Sequence, residues 1–162
     1  ESARAAMSFV RANAERYNID PDFYKNTDIH IHATEAAVPK DGPSAGITMA
    51  TAIYSAVTGI PVKAEVAMTG EISLRGRVLP IGGLKEKSIS AHRAGVFNII
   101  IPKENEKDLE DIPKEIFGDF NFMSVSEFWE VLEIALLPQE DDEFMPISED
   151  TFSNYNLYEN KI

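Results

Sequence analysis

Few residue types in this chain could do covalent chemistry. There are no cysteines, which removes thiolate nucleophiles, thiolate zinc sites and disulfides together. That leaves serine as a nucleophile, with histidine or lysine as its base. The serine that stands out is Ser44, in "PKDGPSAG". It sits where a loop of prolines and glycines runs into an apolar helical pattern. One reading is a helix N-cap, contributing about 1 kcal/mol through its side-chain oxygen. The other is a nucleophile, with the N–H groups of the helix N-terminus poised for an oxyanion. "GPSAG" also matches the G-x-S-x-G nucleophile elbow. That elbow needs a strand feeding directly into the turn, and here a loop containing Pro39 and Pro43 intervenes.

The candidate bases are three histidines and one lysine. His30 and His32 alternate with Ile29 and Ile31 in "DIHIH", as on the wetted face of a strand. His92 falls on the flank of the helix that follows "GGLKEK". On that helix, with Leu84 at the centre of the apolar face, Lys87 lies about 60° away, beside Leu84 and Ala91. Lys85 and Glu86 point about 100° and 200° away. This spacing predicts Lys87 on the core side, either snorkelling out along its stem or desolvated and able to act as a general base. A metal is not expected: His30 and His32 have no third ligand in the pattern. A phosphate cradle is weakened by Asp41 in the loop and by the absence of G-x-x-x-x-G-K-[ST].

The elements that position these residues read as an α+β body of mixed topology, with about four helices and five or six strands. A helix begins at once, with Ala3, Ala6, Met7, Val10, Ala14 and Tyr17 on one stripe. Its uncapped start predicts that the chain is a piece of a longer polypeptide. Residues 28–34 alternate as a strand, and residues 35–43 form a loop. A helix runs from Ser44 until Gly59 ends it, and a strand follows over 61–70. Together these predict a right-handed crossover between parallel strands. "EISLRGRVLP" predicts two short strands folded about Arg75 and Gly76. A helix over "GGLKEKSISAHRAG" leads to the strand "VFNIIIP", apolar enough to be buried on both faces. "KENEKDLEDI" reads as a polar surface helix. Ser124 and Glu127 form a capping box for a last helix with Phe128, Val131, Leu132, Ala135 and Leu136 inward. Pro138 stops it.

The 162 residues suit one domain. No apolar run approaches the roughly 20 residues of a membrane span, and no secretory signal is visible. A net charge of −12 argues against a nucleic-acid surface. Residues 138–162 hold seven acids against one lysine, so half the net charge lies there. The division expected is a body over 1–137 and an acidic, disordered tail over 138–162.

"PKDGPSAG", "AMTGEISLRGRVLPIGGLKEK" and "AHRAGVFNIIIPKEN", in this order and spacing, resemble the proteolytic domain of the Lon family, ATP-dependent serine proteases of the bacterial and mitochondrial type. The resemblance covers about residues 1–137. It implies a fold like the second domain of ribosomal protein S5, with βαβ crossovers. The family's N-terminal strands would precede this chain. It implies a catalytic dyad of Ser44 and Lys87 with no catalytic histidine. Thr69 would hydrogen-bond the lysine, and Asp41 would lie in a loop that can open or block the site. It further implies unfolded or damaged proteins as substrates, hexameric rings, and an ATP- and magnesium-using unfoldase module outside this chain. No cofactor or metal is expected in the chain itself, and no nucleic-acid or membrane partner. The location implied is the bacterial cytoplasm or the mitochondrial matrix. Residues after Pro138 lie beyond the resemblance. Two other readings stay open on the residues alone: a Ser-His-Asp esterase using one of the three histidines, and a non-enzymatic ring-forming or phosphate-binding domain of the same fold.

Overall fold

A computed structural model describes residues 1–32 and 42–138. Helix α1 (Ser2–Ala12) is followed by a 3-10 turn (Glu15–Tyr17), a short α2 (Phe23–Asn26) and then α3 (Gly46–Thr58). Strand β1 (Val66–Met68) leads into the hairpin β2 (Glu71–Ile72) and β3 (Val78–Leu79), then α4 (Leu84–Arg93) and β4 (Asn98–Pro102). A 3-10 segment (Lys103–Asp111), a short α5 (Lys114–Phe117), β5 (Asn121–Val125) and α6 (Phe128–Ala135) complete the described body. The body is mixed α/β, as expected.

The sheet runs β1-β4-β5, with both pairings parallel. Parallel neighbours need crossovers. The first carries the hairpin and α4, and the second carries the 3-10 segment and α5. Strand β4 is central. Its Ile100 faces a core shared with α1, α3 and α6, while Ile99 and Ile101 pack with Leu84 of α4 on the other side. That is why Ile99, Ile100 and Ile101 are apolar in succession rather than alternating with polar residues. The hairpin pairs Glu71 with Leu79 and Ile72 with Val78, and Gly76 turns it at φ 88°. At that position a Cβ would lie 3.2 Å from the Phe9 ring.

The main core is built around aromatic edges. Phe9 meets Phe128 at 5.0 Å and Tyr17 at 5.7 Å, and Tyr17 meets Tyr54 at 6.4 Å. Burial, and then the neighbouring Tyr17, push the Tyr54 phenol up to about 12. A raised value means the fold favours the protonated phenol. Its contribution is therefore intact below about pH 10 and is lost as pH climbs from there toward 12. Tyr54→Phe should flatten the fall in stability over that window by about 2–3 kcal/mol. Urea unfolding of parent and variant on either side of pH 10 measures it; parallel curves would refute the linkage.

Several expectations require correction. Residues 28–32 form no strand; Ile31 and both histidines there are exposed, and among the described residues no strand lies alongside to pair with them. The remainder of that expected strand, and Asp41, lie outside the described residues, as does the acidic stretch over 139–162. The polar helix is a 3-10 segment with a buried asparagine. The last helix starts three residues later than expected. Its capping box is Glu127 with Glu130, whose carboxylate accepts the Glu127 N–H at 2.7 Å. Ser124 belongs instead to β5, a strand absent from the sequence reading.

Candidate active site

Ser44 is not a helix cap. Helix α3 begins at Gly46, Ala45 holds the N-cap position, and no side chain caps it. What the Ser44 residue contributes structurally is its carbonyl. That oxygen accepts the Gly70 N–H at 2.9 Å and the Thr69 hydroxyl at 3.1 Å. The Ile47 N–H returns a bond to the Gly70 carbonyl at 3.0 Å, and the Thr48 hydroxyl donates to the Met68 carbonyl at 3.3 Å. The turn and the first residues of α3 are thus laced to the end of β1.

That lacing explains two glycines. A Cβ on Gly46 would fall 2.7 Å from the Ile72 amide nitrogen, and one on Gly70 would fall 2.9 Å from Val78 Cγ1. Gly46 is therefore glycine because backbone packs on backbone there. Gly42, at φ 130°, takes a conformation that side chains resist. Its carbonyl accepts the Ser2 hydroxyl at 2.7 Å, fixing the loop to α1.

Ser44 opens onto a cleft of about 400 Å³. Ala45, Thr48, Met68 and Thr69 form its wall on the Ser44 side; Ala67 and Ile99 line it from the sheet, and Lys87, Ser88 and Ala91 from α4. The structure therefore brings Ser44, Thr69 and Lys87 to one cavity, although they lie far apart in the chain. Thr69 is buried, and its hydroxyl is directed to the Ser44 carbonyl rather than to the lysine.

Lys87 differs from the expectation of burial: it is exposed, as are Lys85 and Glu86. The buried stripe of α4 is narrow, consisting of Leu84 and Ser88, one turn apart. Ser88 donates to the Leu84 carbonyl at 2.8 Å, which lets a hydroxyl sit in the core. A helical wheel places Lys87 beside that stripe, but the space beside it is the cleft and not the core. Lys85 lines a second cavity, on the far side of the loop that precedes α4, with Asn105, Asp108 and Asp111.

None of the three histidines lines the Ser44 cleft. His30 and His32 are exposed on an irregular segment. His92 pairs with Asp119 at 2.8 Å and packs edge-on against Phe97 and Phe120. A histidine-carboxylate pair exists, but not where the serine is. Among the described residues, no group of three or more acidic or histidine side chains could hold a metal ion. No described helix is long and apolar enough to cross a membrane.

The model of one protein family, the Lon protease (S16) C-terminal proteolytic domain, matches residues 1–138. Among curated proteins, the chain is 66% identical over 137 residues to a Lon protease of Bacillus thuringiensis, covering 85% of this chain and 17% of that protein. It is 57% identical over 136 residues to Lon protease of Escherichia coli K12, covering 84% of this chain and 17% of that one. With Lon protease 1 of Syntrophobacter fumaroxidans the match runs over 161 residues at 54%, covering 99% of this chain and 20% of that protein. The acidic stretch, placed outside the resemblance by sequence reading, thus has a counterpart there. The chain spans about a fifth or less of the length of these relatives.

Proposed function

The chain belongs to the Lon (S16) C-terminal proteolytic-domain family, a family of serine peptidases, and on that premise we propose that it hydrolyses peptide bonds of unfolded proteins through a dyad of Ser44 and Lys87. The observation that supports this reading is the shared cleft: it joins Ser44 to Lys87 and is lined by no histidine.

In the proposed reaction, the Lys87 amine takes the proton of Ser44 Oγ as that oxygen attacks the substrate carbonyl. The resulting oxyanion is met by backbone N–H groups of the Ser44 turn. The Gly46 and Ile47 N–H groups are already engaged, by the carbonyls of Pro43 and Gly70, so Ser44 and Ala45 are the donors available to it. The C–N bond then breaks, Lys87 returns the proton to the leaving amine, and an ester on Ser44 remains. Water, deprotonated by Lys87, cleaves that ester and restores the serine. Because Lys87 is exposed, water is excluded from it by the substrate, whose chain fills the cleft. No cofactor or metal takes part in this step. ATP and magnesium serve an unfoldase module of the whole protein, which assembles as a hexameric ring in the bacterial cytoplasm.

An acylating serine reagent tests the reading. Ser44 should be labelled, and labelling should persist when His30, His32 and His92 are all replaced. Loss of labelling in the folded histidine-free variant would favour a Ser-His mechanism. A folded parent that takes no label would refute the nucleophile.

A further inference from the structure

Asn105 is 1% exposed, although it lies in a segment that is otherwise polar and largely open to water. Its amide is occupied on both ends. Oδ1 accepts the Ile81 N–H at 3.0 Å, while Nδ2 donates to the Ile81 carbonyl at 2.8 Å and to Asp108 Oδ2 at 2.6 Å. The two bonds to Ile81 imitate a strand neighbour, with one side chain satisfying both backbone groups of one residue. Because Ile81 presents one donor and one acceptor, they also fix which way round the amide sits.

Ile81 belongs to the loop between β3 and α4. That loop continues through Gly82 into Gly83, which stands at φ 73° as the residue before α4. Two consecutive glycines give a connection much conformational freedom. Among the described residues, no backbone-to-backbone hydrogen bond holds Ile81 or Gly82. The direction in which α4 leaves the loop therefore depends on how Ile81 is held.

Asn105 is placed for this by β4. The 3-10 segment that carries it starts directly after Pro102, the last residue of that strand. The same strand holds the serine side: the Ile100 carbonyl accepts the Thr69 N–H at 3.1 Å, and Thr69 in turn holds the Ser44 carbonyl. Ser44 and Lys87 thus both hang from β4, one through Thr69 and the other through Asn105, Ile81 and the first turn of α4.

We infer that Asn105 is a positioning residue for the peptidase reaction: by clamping Ile81 it sets the start of α4 and so holds Lys87 opposite Ser44. It touches no reacting atom. The inference rests on the proposed dyad, and the two fail in different ways. Activity surviving in Ser44→Ala or Lys87→Gln sinks the dyad. A folded Asn105→Ala with parental kcat, while those two are inert, sinks the positioning role alone.

The test uses an unstructured fluorogenic peptide and amide hydrogen exchange. In the parent, the Ile81 amide should exchange slowly, although it lies outside any helix or strand. Exchange as fast as an open loop would overturn the clamp without any variant. Asn105→Ala should lower kcat about 10- to 100-fold, leave KM within about threefold, and speed exchange over residues 81–87 but not over 44–51. If Asn105→Ala does not fold, Asn105→Leu decides, since it keeps the side-chain volume and still removes both bonds to Ile81. A lower kcat at constant KM supports the inference, and a parental kcat overturns it.

Discussion

Replacing Ser44 with alanine should reduce hydrolysis of an unstructured peptide by about 1,000-fold or more and leave the fold unchanged. The two halves of this result rest on different atoms. Activity is assigned to Oγ of a residue that lines the cleft with Lys87 and Thr69. The structural work is done by the carbonyl, which holds Gly70 and Thr69 and survives in alanine. Since the side chain caps no helix, the stability cost should stay within about 0.5 kcal/mol, below the roughly 1 kcal/mol of a lost N-cap. Peptide hydrolysis and urea unfolding of the same preparation measure both halves. A folded variant that still cleaves would remove Ser44 from the chemistry. One that is dead and loses several kcal/mol would leave its inactivity without a chemical interpretation.

How much of this was legible in the sequence depends on the range over which each feature is encoded. Strand β4 was legible because burial on both faces demands an unbroken apolar run, and Ile99, Ile100 and Ile101 supply it. The hairpin was legible because Gly76, which turns it at φ 88°, stands between the short stretches that carry Ile72 and Val78. Strand β5 was not. Ser124 and Glu127 imitate a capping box, and that motif masked the strand in which Ser124 pairs with Ile101. The true box, three residues on, uses a glutamate in place of serine as the cap.

The site shows the same division. Ser44 and Lys87 were legible as a pair from the blocks that resemble the family, and both do line one cleft. The exposure of Lys87 was not legible. Helical periodicity reports which residues share a face, but not whether the neighbouring space is core or cavity. Asn105 left no local signal at all. Its partner Ile81 is 24 residues away, and "KENEKDLEDI" has the composition of a solvated surface, so only the folded chain reveals one buried amide in it.

Lys87→Arg and Lys87→Gln should both be inert at every pH at which the protein is folded, while Lys85→Gln keeps most of the parental activity. The contrast turns on chemistry and placement together. The reaction needs an amine that can accept the Ser44 proton. Arginine stays charged and offers only donors; glutamine keeps a polar end of similar reach but is no base. Lys85 is the control because it lies two residues away on the same exposed helix, yet lines the cavity on the other side with Asn105. If activity required only positive charge near the cleft, Lys87→Arg would retain it. If it required only net charge on α4, Lys85→Gln would lose it. Lys87 is exposed, so α4 itself does not shield it from water. The desolvation is therefore assigned to the bound peptide, and longer peptides that fill more of the cleft should raise kcat and not only lower KM. Peptide hydrolysis against pH, for the parent and the three variants with a short and a long substrate, measures all of this. Near-parental cleavage by Lys87→Arg, or a folded but dead Lys85→Gln, would overturn the dyad; equal kcat for the two peptides would overturn desolvation by substrate while leaving the dyad standing.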